Sequence, residues 1–191
     1  MDQTRIKKRL MNKAVHYLGR YATSQHRLGQ VLARFATRKL ADADAADIDA
    51  AIAETIAQCA EFGYVQDDVY ARSQARSQRN QGRSARVIRQ RLRQHDITND
   101  DIDAAIDEAD EHVEDGELLA AFRFAQRRRL GVFTTTSSTT DPQVLRNRHL
   151  GSLARAGFAM RICHQVLSVT NRDDAEALID ALARGETLPD L

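Results

Sequence analysis

The sequence is poor in the residues and patterns on which catalysis, secretion or membrane insertion depend. Its two cysteines, Cys59 and Cys163, stand alone in helical apolar patterns, with neither CxxC nor zinc spacing. They read as buried thiols of a reducing cytosol rather than as a disulfide or a metal site. All four lysines lie at or before Lys39, so a GxxxxGK phosphate loop is excluded. GxGxxG and GxSxG are absent, and the six histidines do not form HExxH. No run approaches the about 18 apolar residues of a membrane-spanning helix. The basic N-terminus (Arg5, Lys7, Lys8, Arg9, Lys13) has no apolar segment behind it, so no secretory signal is expected. The only prolines are Pro142 and Pro189, aromatics make up 5%, and β-branched residues rarely alternate with polar ones, which argues against a sheet protein.

What the chain does have is charge, arranged in blocks. The formal net charge is +1 over 191 residues, with 28 Lys+Arg and 27 Asp+Glu. Along the sequence, however, residues 1–40 carry +9, 41–71 carry −8, 72–95 carry +8, 96–117 carry −11, 118–172 carry +8 and 173–191 carry −5. Three basic blocks are each followed by an acidic one. The length, 42% hydrophobic residues and a mean hydropathy of −0.50 fit a soluble globular protein that buries a core without disulfides or metal.

Apolar spacing is helical almost throughout. Leu28, Val31, Leu32 and Phe35 form one stripe, Ile48, Ile52, Ile56 and Cys59 a second, Ile102, Ile106, Ala109 and Val113 a third, and Leu118, Phe122, Ala125 and Leu130 a fourth. Ser24 and Ser84 are expected helix caps, and Asp141-Pro142 reads as an N-cap followed by proline in the first turn of a helix through Leu145 and Leu153. The segment Thr134 to Thr140 reads as a flexible inter-helix loop. Leu32-Ala-Arg-Phe-Ala-Thr37, Leu92-Arg-Gln-His-Asp-Ile97 and Leu153-Ala-Arg-Ala-Gly-Phe158 recur about 60 residues apart. The expected fold is all-α, an elongated array of three tandem three-helix repeats covering 1–64, 65–115 and 116–172, with an acidic tail helix over 173–191.

Arg72, Arg76 and Arg79 fall at i, i+4, i+7 on one helix stripe, and Arg86, Arg89 and Arg93, at i, i+3, i+7, form a stripe on the next, away from Ile88 and Leu92. Arg127, Arg128 and Arg129 form a second set. These arginines are open to two readings, a solvated face or a surface for phosphates or an acidic protein groove; the lack of any acid in 72–95 favours the second. The acids of 100–117 face water or an arginine helix of the same array. Glu111, His112 and Asp115 have a spacing a metal could use, but exposed residues of a charged helix have the same spacing, so no metal and no cofactor is expected. No acid–base pair suggests an enzyme.

Phe62-Gly-Tyr-Val-Gln-Asp-Asp-Val-Tyr-Ala-Arg72 is the most distinctive stretch. Gly63 can end a helix in the left-handed conformation, with Tyr64 or Val65 folding back, and Asp67 or Asp68 can cap the next helix. Tyr64, Val69 and Tyr70 read as packing between units, with base stacking by the two tyrosines as the alternative. This stretch, with Gly82, Ile88-Arg89, Leu92 and Ile97, resembles the central segment of the bacterial RecX family, and Leu153 to Phe158 with Ile162 and Val166 extends the likeness, which runs from about residue 10 to about 170. The glycine typical after the second helix stands only at Gly157, with Asp96 and Ala36 at the equivalent places; the Thr/Ser loop and acidic tail look like additions.

The resemblance implies tandem three-helix repeats, no catalytic activity, and binding along the groove of the RecA–DNA filament. It further implies lowered ATP hydrolysis and strand exchange. A cytoplasmic, monomeric regulator of recombination and the SOS response is therefore expected, partnered by the RecA filament, without membrane contact. Direct binding to single- or double-stranded DNA is a further possibility. The candidate contact residues, Arg72, Arg76, Arg79, Arg86, Arg89, Arg93, Arg127, Arg128 and Arg129, are chosen on charge placement alone. A stand-alone helical DNA-binding module is the alternative, because a three-helix unit with a basic second helix also resembles helix-turn-helix geometry.

Overall fold

The computed structural model describes residues 2–135 and 141–186. Among these residues the chain is all-α: ten α-helices and one short 3-10 turn. They are α1 (Gln3–Leu18), α2 (Gln25–Lys39), α3 (Ala45–Glu61), α4 (Asp67–Asn80), α5 (Ala85–Arg93), α6 (Asn99–Asp110), α7 (Gly116–Arg128), the 3-10 turn (Gly131–Phe133), α8 (Pro142–Arg155), α9 (Met160–Ser168) and α10 (Arg172–Ala183). Two compact units result, one of Met1–Ala71 with Arg93–Asp101, the other of Arg72–Leu92 with Ile102–Leu191.

In the first unit α1, α2 and α3 pack around Ile6, Leu10, Leu28, Leu32, Ala51 and Cys59. Ser24 caps α2 by accepting the Arg27 N–H at 3.2 Å, as its position before the apolar stripe requires. Asp67 takes the neighbouring Gln25 N–H at 2.8 Å, so the first residue of α4 serves the start of α2. Gly63, at φ +70°, ends α3: the Tyr64 N–H reaches back to the Cys59 carbonyl at 2.8 Å and the Gly63 N–H to Ala60 at 2.9 Å. Val65 is the residue that folds in, 3% exposed.

The motif's other apolar side chains depart from the expected packing. Phe62, Tyr64 and Val69 are 59%, 56% and 51% exposed, and the Phe62 and Tyr64 rings lie 5.7 Å apart at the surface. The helix stop uses the backbone of Tyr64 and the side chain of Val65, which leaves the two aromatic rings outside. Tyr70 is half-buried, its ring edge-on to His95 at 5.5 Å. Asp96 holds the left-handed conformation, φ +56°, at the place where Gly157, φ +92°, stands later in the chain. A short polar side chain tolerates that region better than most. Ala36, the third equivalent, is instead inside α2, which runs on to Lys39.

In the second unit α7, α8, α9 and α10 enclose Phe122, Leu153, Ile162, Cys163 and Leu182. Asp141 caps α8 through the Gln143 and Val144 N–H groups, with Pro142 in the first turn. The helix read as an acidic tail buries Ala175 and Leu182 completely in this core. Residues 187–191 of the expected tail and residues 136–140 of the segment read as a loop lie outside the described residues. Both cysteines are free and buried, and burial pushes both thiols up. No helix among the described residues is long and apolar enough to cross a membrane.

Candidate functional site

The charged surface of the second unit is built on α4, α5 and α6. Helical spacing places Arg72, Arg76 and Arg79 along one side of α4, and the acids of α6 meet that side. Glu108 receives both Arg76, at 3.2 Å, and Arg72, at 3.4 Å. One turn on, Arg79 is 6% exposed and bridges two acids, Asp110 at 2.6 Å and Glu117 at 2.7 Å. It also donates to the Arg83 carbonyl at 3.2 Å, while Glu117 accepts the Ala85 N–H at 3.1 Å and so helps start α5. Burial holds the Asp110 carboxyl above its ordinary range, against the pull of the Arg79 charge. On α5, Arg89 reaches Asp103 at 2.8 Å.

Arg79 is thus not on the surface expected of it. Its guanidinium is enclosed by carboxylates that lie 31 and 38 residues away in sequence, and it ties α4 to the end of α6 and the start of α7. Arg72, Arg76 and Arg89 remain accessible, but their charge is shared with acids. In the first unit Arg93 is exposed and donates from Nε to Asn99 at 3.0 Å.

Arg86, Arg127, Arg128 and Arg129 are exposed, and none forms an ion pair among the described residues. Arg127 and Arg128 both place their guanidinium carbons over the Phe124 ring, at 5.9 and 6.0 Å from its centroid. This contact orients the two side chains without neutralising them. Arg129 ends α7 in the left-handed conformation, φ +56°.

Three arginines outside the candidate set join this region: Arg83 in the α4–α5 turn, Arg91 on α5 and Arg155 at the end of α8. The turn packs closely because Gly82 has no side chain. At φ +68°, a Cβ there would stand 2.6 Å from the Phe124 nitrogen and 2.9 Å from the Ala120 carbonyl. Burial, and then the charges of Arg91, Arg127 and Arg128, pull the Arg83 guanidinium below its usual range. Part of the sequence signal for this group was available: Arg91 falls off the Arg86, Arg89, Arg93 stripe, on a different face of α5, while Arg83 continues the α4 spacing at i+11 but lies past the end of that helix. Among the described residues no cluster of three or more His, Cys, Asp or Glu side chains is placed to hold a metal, and Asp115 instead caps α7 through the Leu118 N–H at 2.9 Å.

Comparison with known proteins places relatives beside this geometry. Residues 67–106, which span α4, α5 and the first part of α6, match the family model described as RecX, second three-helix domain. The chain is similar to Regulatory protein RecX of Myxococcus xanthus (strain DK1622), 34% identical over 160 residues that cover 83% of each chain. It is also similar to Regulatory protein RecX of Agrobacterium fabrum (strain C58), 25% identical over 171 residues, 89% of this chain and 88% of that protein.

Proposed function

The chain belongs to the RecX family, and on that premise we propose that it is a cytoplasmic regulator that binds RecA filaments on DNA. It has no catalytic step of its own, and it lowers ATP hydrolysis and strand exchange by the recombinase. Its effect on the cell is to restrain homologous recombination and the SOS response. The observation that carries this reading is the 34% identity to a regulatory RecX protein across 83% of the chain. Three tandem three-helix repeats over 1–64, 65–115 and 116–172 suit such a task, since small contacts spread over several units sum to useful affinity.

The contact set we assign is narrower than charge placement alone suggests. Arg86, Arg127, Arg128 and Arg129 in the second unit, and Arg93 in the first, present guanidinium groups without an acidic partner. Arg72, Arg76, Arg79 and Arg89 are assigned to the fold, because Glu108, Asp110, Glu117 and Asp103 already answer them.

The test is RecA ATPase on single-stranded DNA with this protein titrated in below the recombinase concentration. Hydrolysis falls and filaments shorten under the microscope if the reading is right; unchanged rates and filament lengths would sink it. The exposed arginines also favour a second reading, a stand-alone helical DNA-binding module. That reading requires tight binding to naked DNA, with a steep fall as salt rises. A filament regulator acts at concentrations where naked DNA is weakly bound.

A further inference from the structure

The α4–α5 turn, α7 and α8 enclose an open cavity of about 370 Å³. Arg83, Arg128 and Arg155 line it together with Ser152, and Val87 and Phe124 supply apolar wall. Arg91 and Arg127 add charge close enough to depress the Arg83 guanidinium. None of these five arginines forms an ion pair among the described residues; Arg91 donates only to the neutral Gln78 side chain, at 3.2 Å. The Arg83 Nε is buried with no hydrogen-bond partner. The Arg79 Nε is unpartnered too, but two carboxylates answer the charge of that guanidinium, whereas Arg83 has its unpaired donor beside like charges, which costs stability.

We propose that this cavity is a binding site for the sugar–phosphate backbone of single-stranded nucleic acid, with Arg83, Arg128 and Arg155 as its phosphate ligands. The chemistry selects the ligand. Guanidinium groups match phosphate oxygens in a bidentate fork, and a chain of phosphates supplies the successive charges that five arginines call for. The apolar wall of Val87 and Phe124 suits the deoxyribose, and a flexible single strand can follow a concave wall that a stiff duplex cannot enter. A carboxylate peptide offers charge without that sugar. The site deepens the filament-regulator reading and rests on it for its biological setting: it is where the protein would hold the DNA strand that RecA coats.

The experiment measures fluorescence anisotropy of a labelled oligothymidylate of about 20 nucleotides with the full chain, across a salt series. Arg128→Gln and Arg155→Gln each weaken binding several-fold, and the slope of log K against log salt becomes shallower by about 0.7 per phosphate contact removed. Arg83→Gln does the same, and the two exposed variants carry the test if it fails to fold. Arg161→Gln, on α9, keeps wild-type affinity. Unchanged affinity and slope in the Arg128→Gln/Arg155→Gln double variant would overturn the site. So would equal competition by polyglutamate of matched charge, or by duplex of the same length. RecA ATPase inhibition by the wild-type protein is read in parallel. If inhibition is present but the oligothymidylate results are negative, the cavity proposal fails alone; if inhibition is absent, the regulator reading fails whatever the cavity binds.

Discussion

Within the second unit, two groups of arginines that interleave in part along α4 and α5 live in opposite surroundings. Arg72, Arg76, Arg79 and Arg89 each meet a carboxylate from α6 or the start of α7. Arg83, Arg91, Arg127, Arg128 and Arg155 meet none among the described residues, and three of them line one cavity. The first group is spent inside the fold, closing helix upon helix. The second leaves an uncompensated field at the surface, which folding alone does not call for and a polyanion would satisfy. Counting charge along the sequence treats both groups alike; only the partner on the facing helix separates them.

The strongest way to break this contrast is at Arg79. Replacing it with Met leaves Asp110 and Glu117 without their counter-charge in a half-buried setting, and a loss of about 3–5 kcal/mol in urea unfolding is expected. Little change would mean that Arg79 is not the tie described. Gly82→Ala comes next, because it combines a left-handed backbone with a Cβ pressed onto the α7 backbone. About 2–4 kcal/mol is expected, read as a lowered melting temperature, with oligothymidylate binding reduced in the protein that remains folded.

Charge reversal at the exposed but paired Arg76 costs less, about 0.5–1 kcal/mol, since Glu108 also holds Arg72. Arg128→Gln in the unpaired group leaves stability within about 0.5 kcal/mol or raises it, because it removes repulsion and breaks no ion pair. A marked loss of stability there would erase the distinction between the groups.

A pH series sharpens the paired side. Asp110 has its carboxyl raised by burial, so the folded chain keeps that proton at a pH where the unfolded chain has released it. Native stability therefore gains from Asp110 as pH falls from the raised folded value toward the ordinary carboxylate value, and the contribution is constant below it. Asp110→Asn removes this gain, which is seen by comparing urea midpoints of the two proteins across that window. A profile of the opposite sign, with stability lost as pH falls, would show that pairing with Arg79, rather than burial, governs the group, and an unchanged profile that the two cancel.

Much of the fold was legible because it depends on local rules. Ser24 and the Asp141-Pro142 pair mark helix starts through hydrogen bonds within three residues, and Gly63 marks a stop through its own backbone. The apolar stripes, such as Ile48 to Cys59, reached the core as their spacing required. What was not legible depends on distant neighbours. Helical period puts Arg79 on a face but cannot tell that Asp110 and Glu117 will enclose it. The aromatic motif shows the same limit: its capping role is local and was readable, while the exposure of Phe62 and Tyr64 was not. The acidic content of α10 suggested an appended tail, although Ala175 and Leu182 at helical spacing were the signal of a buried face.

The central claim is that the fold consumes one group of arginines and the partner the other. It is tested most directly by the concentration of this protein that halves RecA ATPase, measured for two double variants of equal charge loss. Arg128→Gln/Arg155→Gln should raise that concentration by about tenfold or more, and Arg72→Gln/Arg76→Gln by less than about threefold. The reverse ranking, or equal effects, would contradict the account.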